Sequence, residues 1–205
     1  YTDHHNSHTY CAIAASGFID TDVLTADGRG DFTSTLFGRF KPNEGFKECY
    51  RSSSWESLGY FYGRITHLCG FSPNKHEGKI VGLSATGDPK KALELMRSMI
   101  DIREGEIISF VGDLYRPFFT NFSDNLIKEI KKFSIQDIAA AAQFHLEDMV
   151  LKLLKFHHSG SMNISLAGGI FANVRLNQKI RECGIYKNVY VYPNMSDGGI
   201  ANGAV

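Results

Sequence analysis

The sequence lacks most of the features that mark a specialised protein class. Its four cysteines, Cys11, Cys49, Cys69 and Cys183, form no CxxC pair and fall well below the density of a disulfide scaffold, so they read as reduced thiols. No apolar run reaches transmembrane length, and no basic-then-apolar leader opens the chain. Both absences lead to the expectation of a cytoplasmic protein without a membrane partner. An excess of either charge is also missing. With 22 basic and 22 acidic residues the formal charge is zero, and no basic face is concentrated anywhere, which argues against a nucleic-acid backbone as partner. There is no repeat, no low-complexity stretch and no initiator Met, and the last of these suggests an excised domain.

What is present suits a globular protein. The 205 residues are 43% hydrophobic and 12% aromatic, enough for one large domain or two small lobes. Thr2 to Ala15 reads as a helix, Asp22 to Phe40 as two strands around a turn at Asp27–Asp31, and Phe46 to Ser52 as a third strand. Ser54 to Cys69 spaces Trp55, Leu58, Phe61, Tyr62, Ile65 and Leu68 as a helical core stripe, with Ser54 as N-cap and Gly70 as stop. Further helices are expected over Glu77–Gly87, Pro89–Ile100, Asp124–Lys132 and Ser134–His158, the last with S-I-Q-D as a capping box. Glu106–Leu114 reads as a hairpin strand and Arg116–Asn121 as loop. In the last third, strand Asn163–Ala167, helix Phe171–Arg181 and strand Val189–Tyr192 point to parallel pairing, whereas the first third looks antiparallel.

Four stretches could carry chemistry, and each has a plainer reading. His4 and His8 are four apart, so on a helix both imidazoles leave one face as metal ligands do; solvated histidines at a polar helix start would look the same. The glycines of D-G-R-G-D, residues 27–31, could let a nucleotide approach the backbone or could simply make a turn. The strand-to-helix turn at Gly168-Gly169 could seat a phosphate on free N–H groups, or let the helix pack close to the sheet. Asp197, beyond a strand end, could complete a metal site or serve as an N-cap.

Taken in order, D-H-H-N-S-H, D-G-R-G-D, E-G-K-I-V-G-L, L-A-G-G-I-F-A-N and S-D-G-G-I-A-N-G-A resemble the O-carbamoyltransferases of the nodulation-factor and antibiotic-tailoring type. More distantly they resemble the universal tRNA threonylcarbamoyl transferase. The resemblance implies an α/β fold, an actin-like ATPase (ribonuclease H-like) subdomain whose mixed sheet carries helices on both faces. Residues 1–205 would form one such subdomain of a larger enzyme, without its preceding subdomain or its C-terminal YrdC-like module. In such enzymes the YrdC-like module joins carbamoyl phosphate and ATP into carbamoyl adenylate, and the actin-like module passes the carbamoyl group to a hydroxyl of a small-molecule acceptor.

By the same resemblance, Fe(II) would be held by His4, His8 and Asp197, a 2-His-1-carboxylate set with open positions. ATP or carbamoyl adenylate would lie against Asp27, Gly28, Arg29, Gly30, Asp31, Gly78, Gly168, Gly169 and Asn173, with Asp27 or His5 as the base for the acceptor. The fragment alone is expected to be inactive or nearly so. Two other readings stay open: tRNA as acceptor, and a nucleotide-binding module that does no chemistry. The acceptor and the oligomeric state are not legible in the residues.

Overall fold

The structure is a computed structural model that describes residues 2–118 and 121–204. In chain order the elements are α1 (His4–Ser16), β1 (Thr21–Gly30), β2 (Thr33–Lys41), β3 (Gly45–Ser53), α2 (Leu58–Leu68), α3 (Glu77–Leu83), α4 (Pro89–Arg97), β4 (Ile100–Arg103) and β5 (Glu106–Ser109). They continue with α5 (Asp124–Ile130), α6 (Ile135–His157), β6 (Asn163–Ala167), α7 (Val174–Glu182) and β7 (Asn188–Val191). Short 3-10 turns lie at Ser84–Thr86, Gly169–Ala172 and Asp197–Gly203. No helix of the described residues is long and apolar enough to cross a membrane.

The chain divides into two compact units, Tyr1–Gly59 with Leu153–Val205, and Tyr60–Lys152. The first is built on a five-stranded mixed sheet in the order β3-β2-β1-β6-β7. Its first three strands are antiparallel, and β6 and β7 run parallel to β1, as the split between hairpins and a strand-helix-strand unit requires. The chain is thus a mixed α/β protein.

The alternation of β1 decides what meets each face of the sheet. Val23 joins Cys11, Ala12 and Ile13 of α1 in a buried cluster, and Thr25 bonds His5 of the same helix, so the odd-numbered side chains face α1. The even-numbered ones face the other way. Asp22, fully buried, accepts hydrogen bonds from the Ser159 hydroxyl and N–H and, at 2.8 Å, from the Tyr186 hydroxyl just beyond α7. On the same face Phe37, opposite Leu24, lies against His157 at the end of α6. Helices therefore cover both faces.

The hairpin between β1 and β2 departs from expectation. Asp27–Gly30 does not break the strand but lies inside β1, where the register slips between Ala26 and Gly30, and the turn itself is Asp31-Phe32. Both turn residues have positive φ, +49° and +64°, the combination that matches the twist of a two-residue hairpin.

The second unit holds α3, α4, α5, most of α2 and α6, and the β4–β5 hairpin, around buried Phe61, Ile65, Ile80, Met96 and Ile100. The helix expected over Pro89–Ile100 stops at Arg97, because Ile100 is taken by β4. The stripe from Ser54 begins only at Leu58, leaving Trp55 outside the helix and 45% exposed. Within α6, Ser134 caps through the Asp137 N–H, but the Asp137 carboxylate turns to the Asp88 N–H and to Lys91. Of the expected loop Arg116–Asn121, residues 119 and 120 lie outside the described residues, as do Tyr1 and Val205.

Candidate metal centre

Helix α1 starts where the Asp3 carboxylate accepts the Asn6 N–H at 2.9 Å and ends at Gly17 in the left-handed region. Between these caps His4, His8 and Cys11 share one face. The backbone N–H of His4 donates to the Asp31 carboxylate at 2.9 Å, tying the helix start to the hairpin turn. Gly30 makes room for the imidazole: a Cβ there would lie 2.1 Å from the His4 ring.

Strand β1 delivers Asp27 to the same place, two residues on from Thr25 on the face toward α1. Its carboxylate accepts the N–H of Gly28 at 2.6 Å and of Gly169 at 3.2 Å. Ser57, just before α2, bonds the carbonyls of Asp27 and Gly28 and fixes the backbone there. The fourth residue arrives from far along the chain. The turn Asp197–Gly203 packs on α1, with the Cys11 thiol donating to the Gly199 carbonyl, and this brings Asp197 over the two imidazoles.

The convergence is close. His4 Nε2 is 3.4 Å and His8 Nε2 3.6 Å from Asp197 Oδ1, and His8 Nε2 is 3.5 Å from Asp27 Oδ2. All four ligand atoms lie within 4.8 Å of one another. These separations are long for hydrogen bonds. They suit atoms that share an ion at about 2.1 Å, whose tetrahedral edge is about 3.4 Å. Both Nε2 atoms are buried without a hydrogen-bond partner, a condition that a cation relieves. The donor set, two imidazoles and two carboxylates, fits a divalent first-row metal. Exposure is graded across it, from the His8 side chain at 1% to Asp197 at 65%, so the site opens on the Asp197 side.

Electrostatics agree with this arrangement. Burial pushes the Asp27 carboxyl upward, but His8 and the N–H groups of Gly28 and Gly169 outweigh it and hold the group at about 2. The same hydrogen bonds hold Asp27 as an ionised carboxylate that faces His8. His5, the other candidate base, is fully buried, with Nδ1 on the Thr25 hydroxyl at 2.8 Å. Burial first, then the neighbouring His4 and His8, push it down to about 4.

The residues expected around a nucleotide fall in both units. Asp27, Gly28, Gly30 and Asp31 stand at the site as described, and Arg29 lies beside them in β1. Gly168 and Gly169 adjoin it, but their N–H groups are engaged, Gly168 with the Met195 carbonyl at 2.7 Å and Gly169 with Asp27. The turn serves close approach: Gly168 has φ +99°, and a Cβ there would lie 2.2 Å from the Ala26 carbonyl. It opens the short 3-10 turn Gly169–Ala172, and α7 starts only at Val174 with Asn173 as its cap. Gly78 is in the other unit, in the first turn of α3, with open space where a Cβ would go. The reading of residues missed Asp27 as a partner of His8; the signal available was its odd position in β1, in step with Val23 and Thr25.

Comparison with known proteins adds the following. The family model described as Carbamoyltransferase N-terminus matches residues 1–205. Nodulation protein NolNO of Sinorhizobium fredii is 31% identical over 220 residues, covering 100% of this chain and 30% of its own length. Nodulation protein NolO of Bradyrhizobium diazoefficiens is 31% identical over 214 residues, covering 98% of this chain and 37% of its own. The chain thus spans about a third of the length of these relatives. Among solved structures, component A of (R)-2-hydroxyglutaryl-CoA dehydratase from Acidaminococcus fermentans superposes with a TM-score of 0.58 at 13% identity, over 97% of this chain and 64% of its own, a likeness of fold.

Proposed function

Since this chain belongs to the carbamoyltransferase N-terminal family, we propose that it is the transfer part of a larger O-carbamoyltransferase. The parent would pass a carbamoyl group from carbamoyl adenylate, formed from carbamoyl phosphate and ATP, to a hydroxyl of a sugar-like or natural-product acceptor. The observation that carries this reading is the meeting of His4, His8, Asp27 and Asp197 around one point. A divalent cation held there, Fe(II) by the resemblance of the motifs, would supply a Lewis acid beside the reacting carbamoyl phosphate group.

The protein's own groups do the rest. His8 and Asp27 form the inner wall, and the low pKa of Asp27 keeps it charged throughout. Asp197 lies on the open side, where substrate enters. The acceptor oxygen bonds to the carbamoyl carbon, the bond from that carbon to the phosphate oxygen breaks, and AMP leaves with the electron pair. The hydroxyl proton passes to the departing phosphate. The balance of 22 acids and 22 bases favours a small acceptor over tRNA.

The test has two parts. Metal content by mass spectrometry should be stoichiometric in the wild type and lost in His4→Ala and in His8→Ala; equal content in all three sinks the proposal. The parent protein, fed carbamoyl phosphate, ATP and candidate acceptors, should then yield a product heavier by one carbamoyl group together with AMP.

A further inference from the structure

Of the four groups at the cation site, Asp197 is held least by its own element. His4 and His8 ride on a capped helix and Asp27 on the central strand, whereas Asp197 starts a seven-residue 3-10 turn and is largely exposed. The turn is held instead by α1. A Cβ at Gly203 would stand 1.9 Å from the Ser7 carbonyl oxygen and 2.8 Å from Cys11 Sγ, so the two backbones meet with no room for a side chain. The Cys11 thiol, on the same helical face as His4 and His8, donates to the Gly199 carbonyl at 3.1 Å.

The geometry points to Cys11 and Gly203 as positioning residues of the cation site, clamping the turn onto α1 so that Asp197 Oδ1 reaches both imidazoles. The ion and the clamp then support each other. Docking of the turn regulates how tightly the ion is held, and the ion ties the turn down by bonding it to the helix beneath. This rests on the reading of the four residues as a cation centre. Ordinary packing would account for the same contacts but would leave ion affinity alone, and that difference can be measured.

The probe is Co(II), an air-stable stand-in for Fe(II), titrated into the chain and followed by its visible absorption, with the metal-free melting temperature recorded in parallel. Gly203 has no positive φ, so Gly203→Ala acts only as a wedge between turn and helix. It should weaken Co(II) binding about 10- to 100-fold, the usual effect of disturbing a ligand's support. Gly198→Ala is the control: it places a methyl next to Asp197 whose nearest neighbours belong to the Asn194 side chain, from 3.2 Å, and should bind Co(II) within about 3-fold of wild type.

A Gly203→Ala chain that melts lower yet binds Co(II) as wild type does would overturn the inference and leave a packing contact. If that variant does not fold, Cys11→Ala decides, since it removes the sulfur without adding bulk: several-fold weaker binding supports the clamp, and unchanged binding overturns it. A wild type that binds Co(II) no better than His4→Ala removes the cation centre and this inference with it. A wild type that binds well, alongside an equally good Gly203→Ala, removes the inference alone.

Discussion

The two glycines of D-G-R-G-D should respond very differently to a single methyl group. At Gly30 an added Cβ would lie 2.1 Å from both Cγ and Cδ2 of His4 and 2.7 Å from its Cβ. Ordinary carbon contacts are about 3.5 to 4.0 Å, so the shortfall is about 1.5 Å. Rotating the ring does not relieve it, because the His4 Cβ is itself too near; the first turn of α1 has to move. Overpacking of this kind costs about 1 to 3 kcal/mol. With a urea slope of about 2 kcal/mol/M the unfolding midpoint of Gly30→Ala should fall by about 0.5 to 1.5 M. The displaced imidazole should also weaken Co(II) binding about 10- to 100-fold. At Gly28 nothing lies within 4 Å and φ is ordinary, so Gly28→Ala should stay within about 0.5 kcal/mol of wild type. The single tryptophan, Trp55, belongs to the unit that contains the site, and its fluorescence reports the transition. Equal midpoints for the two variants, or an unmoved Co(II) affinity in Gly30→Ala, would refute the claim that Gly30 exists to admit His4.

Three further outcomes are expected. Gly168→Ala combines a disfavoured φ of +99° with a Cβ 2.2 Å from the Ala26 carbonyl, and should cost about 2 to 5 kcal/mol in urea unfolding; a loss under about 0.5 kcal/mol would show that β6 and β1 need no such approach. Tyr186→Phe takes one donor from the buried Asp22 carboxylate and should cost about 1 to 3 kcal/mol by the same assay, no loss meaning that the remaining donors suffice. The third concerns pH. His145 is buried, and desolvation holds its pKa below the ordinary value despite its bond to the Ile100 carbonyl and the nearby Asp101 and Asp148, with Arg97 reinforcing the shift. The unfolded chain therefore binds the proton more readily. The contribution to stability is present above the unfolded histidine pKa of about 6.5 and is lost as pH falls through the lower folded value. Unfolding midpoints of the second unit should drop between pH 7.5 and 5.5, less so in His145→Gln, and a midpoint that rises on acidification would contradict the assignment.

How much of this could be read from the residues depended on whether local pattern or tertiary approach set the feature. Strand β6 runs from Asn163 to Ala167 as its apolar run indicates, and α1 follows from Asp3, the histidines and the small apolar residues up to Gly17. The pairing of His4 and His8 with Asp197 followed from motif resemblance, not from any local pattern. The misses share a cause. Asp27–Gly30 looked like a break because glycine is a turn former, yet here the glycines tolerate a register slip inside β1, and the turn falls on Asp31 and Phe32, the latter a residue that rarely takes positive φ. Helix α7 was placed too early because Phe171 fits its apolar rhythm, but Asn173 supplies the cap. Ile100 fits a helix pattern and a strand pattern equally, and only its pairing with Ser109 decides between them. Asp27 beside His8 is a contact between elements: its odd position in β1 turns it toward α1, but only the tertiary approach of the two elements brings it to His8.

The Gly-Gly turn finally bears on the sign of the charge that this site takes. A bare turn after a strand is a natural anion seat, since its N–H groups are free. Here they are not free: Met195 takes one, and the other already faces an anion, the Asp27 carboxylate, which Gly28 and His8 also support. The protein has placed its own negative charge where the motif alone would admit a phosphate. Asp197 adds a second carboxylate within hydrogen-bond range of neither imidazole's ideal, and two buried Nε2 atoms stand unpartnered between them. Two carboxylates converging on one point repel an incoming phosphate unless positive charge stands between. A cation at that point would satisfy the ligands and would offer its remaining positions to a phosphate. On the reading proposed above, a phosphate would meet the metal rather than the glycines, and Asp27 would act on anion binding through a charge opposite in sign to the one its N–H partners would have offered.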